Sequence, residues 1–325
     1  MSSYGKNIEK TIPSHKCKEV PGLMRKIAFG YSTRCNIRCA HCVAVGDIPN
    51  DKKMELGRAR EIIREMAAAG VTGISFTAGE PFIYFDDILE LVSLCRDLNI
   101  YTRIVTNSYW AKSPEKAELR LDRLKQCGLS QLRMSCSRWH QQHVPLQNML
   151  IAANACIKIG IDYFISFVTD FTEEDDVYEQ FFRDNKLKYF PEPVIYAGRA
   201  DSFGRKAIFT DYQENRCAMN PYLAPDLSMY ACCDAGSHFT TTNFFLLGNL
   251  ENDSIDQLFT KSEISPLYNC IRSMGISNIA SFSGIKAREI VTFRKCELCK
   301  KLFDSPVVLK TLREAAGSEL RYWTR

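Results

Sequence analysis

No stretch of the 325 residues approaches the roughly 18 consecutive apolar positions that a membrane-spanning helix needs, so a helical membrane protein is excluded. The opening segment, MSSYGKNIEKTIPSHKCKEV, lacks the apolar core of a secretory signal. No long basic run is present and the formal net charge is only +4, which argues against nucleic acid as a partner. Internal repeats and low-complexity tracts are missing, and 12 prolines with 17 glycines are ordinary for this length. These absences leave a folded chain that expects neither membrane nor nucleic acid and reads as cytoplasmic. With 46% apolar and 25% charged residues it can build one large domain, or one domain with an appendage.

Cysteine is what the chain has in quantity, 14 in all. A reducing compartment argues against a disulfide framework and leaves buried thiols, metal ligands or reactive groups. Cys95, Cys127 and Cys156 stand singly among apolar neighbours and read as small core residues, while Cys17 has no reading. Cys35, Cys39 and Cys42 instead form C-x3-C-x2-C in CNIRCAHC. Cys217, Cys232, Cys233, Cys270, Cys296 and Cys299 gather in the last third.

From residue 26 to 200 short apolar runs alternate with helical patterns. Strands are expected at 26–32, 71–81, 100–108, 129–137, 161–170 and near 188–198. Helices are expected at 55–70, 86–99, 113–128, near 146–160 and around 173–185, with Ser113 as a cap and Pro114 at a first helical position. Such a series of β/α units gives an open doubly wound or a barrel-like sheet, with chemistry at the carboxyl ends of the strands. The tri-cysteine loop, TAGEP, TNS and SCSRWH all fall at strand exits on that edge. Beyond about 200–215, where a domain boundary is expected, PYLAPDLSMYACC reads as a hairpin with its turn at Pro225–Ser228. A short helix near 253–260 follows, and SMGISNIASFSGIKAR reads as loop.

Three thiolates on one loop can hold a cubane iron–sulfur cluster by three of its irons and leave the fourth iron without a protein ligand. A structural zinc site would want a fourth ligand. His41 lies inside the group, but it abuts Cys42, and neighbouring residues do not easily reach one metal.

This arrangement resembles the radical S-adenosylmethionine (SAM) enzymes, through Cys35, Cys39 and Cys42. TAGEP resembles the family's Gly-Gly-Glu-Pro motif, with Ala78 in place of the first glycine. That likeness implies that the backbone of Ala78, Gly79, Glu80 and Pro81 binds the methionine amine of SAM. VTNS looks like the family's Thr-Asn turn, with Thr106 and Asn107, and MSCSRWH like its fourth-strand polar segment, with Ser135 and Ser137 meeting the ribose. Relatives often carry aspartate where Ser137 stands. The likeness puts His41 beside the adenine, and Arg199, at the end of the sixth strand, against the cofactor carboxylate. In SRWHQQHVP, Arg138, Trp139, His140 and His143 would line the substrate or cofactor cavity.

The resemblance covers roughly residues 26–200 and implies an α/β fold with a partial (β/α)6 TIM-like barrel. In that family SAM chelates the open iron, one electron splits its sulfonium bond, and the 5′-deoxyadenosyl radical takes a hydrogen atom from a C–H bond.

The C-terminal cysteines resemble a twitch domain, the short form of the SPASM domain, with a β-hairpin, LGNL (247–250) and a helix. The usual glycine of its hairpin turn appears as Ser228. The likeness implies a second, auxiliary four-iron cluster on Cys217, Cys232, Cys296 and Cys299, with Cys233 as a substitute for Cys232 and a closed zinc site as the alternative. The implied organisation is an N-terminal extension (1–25), a radical SAM core (26–205), a twitch/SPASM-like domain (206–303) and a C-terminal helix (304–325).

Relatives with such a domain modify ribosomally made peptides, or epimerise and dehydrogenate sugars and aminocyclitols. Only 34 residues precede Cys35, too few for a leader-binding winged-helix domain, which weighs against a peptide without excluding one. A peptide-modifying maturase remains the expected function, served by a reductant such as flavodoxin or ferredoxin. A small-molecule epimerase or dehydrogenase is the alternative, and a non-catalytic zinc or iron–sulfur interaction protein the alternative from another class. Were the reaction an epimerisation, Cys233 or Cys270 could donate the returning hydrogen.

Overall fold

A computed structural model describes residues 25–43, 52–203, 217–233, 244–285 and 295–323. The expected extension before residue 25, with Cys17, and most of the boundary near 200–215 lie outside the described residues.

Strands with alternating buried and half-buried positions bury one face against helices and leave the other lining a lumen. They are β1 (Arg25–Gly30), β2 (Val71–Thr77), β3 (Tyr101–Thr106), β4 (Gln131–Cys136), β5 (Asp162–Thr169) and β6 (Tyr189–Pro193). The connecting helices are α1 (Leu56–Ala68), α2 (Phe85–Asp97), α3 (Pro114–Gln126), the short α4 (Arg138–Gln141), α5 (Leu146–Ile159) and α6 (Asp176–Asp184). As the sequence suggests, Ser113 caps α3 and Pro114 occupies its first turn. All six strands pair in parallel in the order β6-β5-β4-β3-β2-β1, and the sheet does not close, as expected of a partial barrel. Phe29, Phe76, Ile62, Ile63 and Met66 are fully buried between the sheet and its helices.

The expected hairpin is present as β7 (Tyr222–Leu223) and β8 (Ser228–Tyr230), but it is not a separate layer. β7 pairs in parallel with β1, and β8 pairs antiparallel with β7 and β9 (Leu246–Asn249), so one nine-stranded sheet runs through both regions. Its turn places Leu227 at φ +68°, so the left-handed residue is Leu227, one position before Ser228.

The helices α7 (Ile255–Ile264), α8 (Pro266–Met274), α9 (Ile276–Phe282), α10 (Lys295–Phe303) and α11 (Pro306–Trp323) complete the fold. The stretch around SMGISNIASF is therefore helical, not loop. Ser265 caps α8 with Pro266 behind it, and α9 buries Ile276, Ile279 and Ala280 at helical spacing, a pattern too short to stand out in sequence. No helix among the described residues is long and apolar enough to cross a membrane.

Arg25 ties α7 to the first strand. Its guanidinium forks onto Glu263 at 2.7 Å through two nitrogens and reaches Asp256 at 2.6 Å and the Ala69 carbonyl at 2.7 Å. Replacing Arg25 by alanine strands a half-buried Glu263. The expected cost is about 1–3 kcal/mol, read as a lower urea midpoint at unchanged slope.

Candidate active site

The chain leaves β1 into the cysteine loop and leaves β2 into TAGEP, so the two exits lie side by side. Ala78 and Gly79 take consecutive left-handed conformations, φ +63° and +54°. A Cβ on Gly79 would sit 2.2 Å from the Arg34 carbonyl oxygen and 2.8 Å from that of Ser32, so only glycine lets the turn press on the start of the cysteine loop. Glu80 N–H then donates to the Arg34 carbonyl at 2.8 Å.

The Glu80 carboxylate is buried and accepts from Phe82 N–H (3.1 Å), Thr106 Oγ1 (2.8 Å) and Asn107 N–H (2.8 Å). Burial pushes it up to about 7, against the pull of those three donors. It knits the β2 exit to the β3 exit. Asn107 in turn donates from Nδ2 to Asn36 Oδ1 at 2.9 Å and lies 4.0 Å from Cys35 Sγ. TAGEP, TNS and the cysteine loop are thus one hydrogen-bonded unit.

Arg199 closes the other side. It lies in a turn (Gly198–Ser202) beyond β6, where Nε donates to the Cys39 carbonyl at 2.8 Å and its backbone N–H to the Cys42 carbonyl at 3.2 Å. His41 is buried, stacks on Trp139 (4.9 Å, 28°) and meets His140 edge-on at 4.6 Å. Arg138, held by Asp170 at 2.6 Å and Asp175 at 3.0 Å, lies 4.2 Å from the Trp139 ring centre. Burial first, then His140 and Arg199, hold His41 well below the usual imidazole range, so it is neutral. Its Nδ1 is buried with no hydrogen-bond partner among the described residues.

Burial pushes the Cys35 thiol up to about 11 and Cys39 to about 12, and the neighbouring Cys42 opposes both ionisations. Three mutually opposed thiols are a donor set that a bound iron–sulfur cluster relieves, and the residues present fit such a group. Cys39, His41 and His140 also bring ligand atoms within 4.8 Å of one another, but that grouping shares Cys39 with the three-thiol set.

All three cysteines line one cavity of about 620 Å³ with Ala78, Gly79, Glu80, Thr106, Asn107, Ser135, His41 and Arg199. Ser137 does not join them. The chain turns into α4 directly after β4, so Ser137 is fully buried as its cap, with Oγ 2.8 Å from His140 Nδ1. Pro81 starts the turn behind Glu80, and neither Cys233 nor Cys270 lines the cavity, so the expected hydrogen-donor thiols stand outside it. Cys270 is carried by α8 and packs on its core.

The second cysteine set lies within electrostatic reach of Cys299. Burial raises Cys299 well above its usual value, and the charges of Cys232, Cys296 and Cys217 raise it further. This site touches the first through residues 195–199. Ile195 and Ala197 pack on Cys296, with Val43 and Cys299 against the same cluster. The buried Glu297, between the two cysteines of α10, accepts from Tyr196 N–H at 3.0 Å. Gly198 turns at φ +60° where a Cβ would lie 2.8 Å from the Cys42 carbonyl oxygen, which lets Arg199 reach the loop. If the cavity binds SAM as the resemblance implies, Glu297→Ala is expected to weaken that binding by about tenfold while Glu297→Gln, which keeps an acceptor, does not. Equilibrium dialysis with labelled SAM checks this.

Sequence reasoning misses Glu297, because nothing in RKCELC distinguishes a buried acceptor from a surface acid. It also misses Arg133, Ser166 and Glu192, which line the cavity from β4, β5 and β6, and Tyr222, Asp226 and Tyr230 from the hairpin. The period-2 alternation of LRMSC would have placed Arg133 on the face of Ser135.

Residues 30–176 match the Radical SAM superfamily. The chain is 24% identical over 121 residues to the putative peptide biosynthesis protein YydG of Bacillus subtilis (strain 168), covering 37% of this chain and 38% of that protein. It is 30% identical over 104 residues to the PqqA peptide cyclase of Methylobacterium sp. (strain 4-46), covering 31% of this chain and 26% of that protein. The chain thus spans well under half the length of these curated relatives. Among solved structures it is similar to hexahistidine-tagged anSMEcpe with bound AdoMet, with a TM-score of 0.56 at 13% identity over 90% of this chain and 99% of that one, a likeness of fold.

Proposed function

We propose that the chain, whose residues 30–176 match the Radical SAM superfamily, is a radical SAM enzyme that modifies a ribosomally made peptide by hydrogen abstraction. The observation that carries this reading is the single unit built by the cysteine loop, TAGEP and TNS around one cavity, with Glu80 as its knot. Cys35, Cys39 and Cys42 would hold a four-iron cluster, which supplies the electron that cleaves SAM to a hydrogen-abstracting 5′-deoxyadenosyl radical. Around it Gly79 gives the backbone close approach, Asn107 and Arg199 fix the loop, Ser135 faces the cofactor, and neutral His41 with Trp139 walls the site from water.

Cys217, Cys232, Cys296 and Cys299 would hold the auxiliary cluster in a twitch-like region, with Cys232 preferred to Cys233 for its place at the end of the hairpin, in MYAC. Four protein ligands leave that cluster for electron transfer or structure, and a small reductant protein such as flavodoxin or ferredoxin supplies the electrons. The named activities of the two curated relatives favour a peptide substrate.

Anaerobic reconstitution is expected to give about eight irons per chain and 5′-deoxyadenosine from SAM under dithionite. About four irons with one zinc would remove the auxiliary cluster, and no 5′-deoxyadenosine would remove the enzyme. A short cysteine- or aromatic-rich reading frame beside the gene supports the peptide, whereas neighbouring sugar or aminoglycoside genes would replace it with a small molecule.

A further inference from the structure

The cavity runs past the cofactor residues onto the inner faces of β4, β5 and β6, where Arg133, Ser166 and Glu192 line it. Arg133 stands two residues before Ser135 on the same face, about 7 Å further along the strand from the cysteine edge. Its Nη2 donates to both Glu192 oxygens and to Ser166 Oγ, each at 2.8 Å. Nε is buried without a partner, and no bond from Nη1 is made among the described residues. One nitrogen of this cavity-lining guanidinium carries its protein hydrogen bonds among the described residues, and the buried Nε has none there.

A second guanidinium lies near it. Phe164 carries Arg133 on its ring at 5.8 Å and Arg103 at 5.4 Å. Burial, with repulsion from Arg133, holds Arg103 below its usual value. Glu192 is the carboxylate in ion pair with Arg133, at 2.8 Å, while Arg103 turns its Nε to Gln131 Oε1 at 2.6 Å. Among the described lining residues of β3 to β6, Arg133 and Glu192 are the charged ones.

We propose that Arg133 is a substrate subsite that receives a carboxylate of the substrate, with Glu192 and Ser166 holding the guanidinium for it. This rests on the peptide-modifying reading above and adds to it that the modified peptide presents an acidic side chain or a free C-terminus here. An incoming carboxylate takes the donors that Glu192 leaves open. Glu192 is both the holder of Arg133 and its competitor, which gives its removal an unusual sign.

The test is calorimetric titration of the reconstituted, SAM-loaded protein with three probes. N-acetyl-aspartate α-methylamide offers a side-chain carboxylate, N-acetyl-alanine a terminal one, and N-acetyl-asparagine α-methylamide neither. At least one carboxylate probe is expected to bind about tenfold tighter than the amide, and the tighter one names the source. Arg133→Gln should abolish the difference at unchanged SAM affinity, and Glu192→Gln should increase carboxylate affinity. Equal or absent binding of all probes, loss in both variants as an ordinary structural ion pair would give, or a tenfold loss of SAM affinity in Arg133→Gln would each overturn the proposal. The peptide reading fails separately, through absent 5′-deoxyadenosine or a substrate that is not a peptide.

Discussion

Cys39→Ala is expected to form 5′-deoxyadenosine at least about a thousandfold more slowly than the parent, a loss of about 4 kcal/mol in the barrier. Cys39 is the most buried of the three loop thiols, and its carbonyl is the one Arg199 Nε holds. Removing its sulfur would take away the proposed cluster ligand while leaving the backbone clamp, so the fold should persist with a stability loss of about 1 kcal/mol. Iron should fall from about eight to about four per chain. With the proposed auxiliary cluster in place, Cys299→Ala should lose the same amount of iron from the other site, yet keep SAM binding to within about tenfold, because its loss reaches the first site indirectly, through the Glu297–Tyr196 bond and the packing of Ile195 and Ala197 on Cys296. Chromatographic 5′-deoxyadenosine and iron analysis on both variants give the result. Equal turnover in Cys39→Ala would end the cluster assignment, and equal SAM affinity in both variants would leave the first site without its expected ligand.

The cysteine loop at the exit of β1 was legible in the sequence because cysteine spacing is local. C-x3-C-x2-C sits on one loop, and its strand-exit neighbours TAGEP and TNS follow from the β/α alternation alone. Six strands and their helices were readable for the same reason: buried parallel strands are apolar, and Ser113-Pro114 marks a helix start chemically. What lies across the fold was not readable. Ser137 looks polar and available in sequence, but α4 begins at once and consumes it as a cap. The contact of α10 with the segment after β6 joins residues 101 positions apart, and no local pattern announces it. Likewise β7 pairs with β1 through two residue pairs, and no local pattern in the hairpin announces that register.

Gly79→Ala should fail more broadly than any single ligand loss, since it acts on the geometry that all three loops share. The added Cβ would lie 2.2 Å from the Arg34 carbonyl oxygen, a backbone atom that cannot swing aside as a side chain can. It would also impose a left-handed conformation at φ +54° on an L-residue, costing about 1–2 kcal/mol before any clash. Overpacking adds about 1–3 kcal/mol, so the Arg34 carbonyl must move and with it the hydrogen bond from Glu80 N–H. Moving that bond displaces the start of the cysteine loop and loosens the Glu80 bonds to Thr106 and Asn107. SAM affinity is expected to fall by more than about tenfold and the melting temperature by several degrees. Ala78→Gly is the matched control. Ala78 holds φ +63° with a side chain already present, so glycine there relieves about 1 kcal/mol of strain while gaining a similar unfolded-state entropy. Its stability should move by less than about 1 kcal/mol, with SAM affinity retained. Should Gly79→Ala bind SAM as tightly as the parent, the close approach of TAGEP to the cysteine loop would have no part in holding the cofactor.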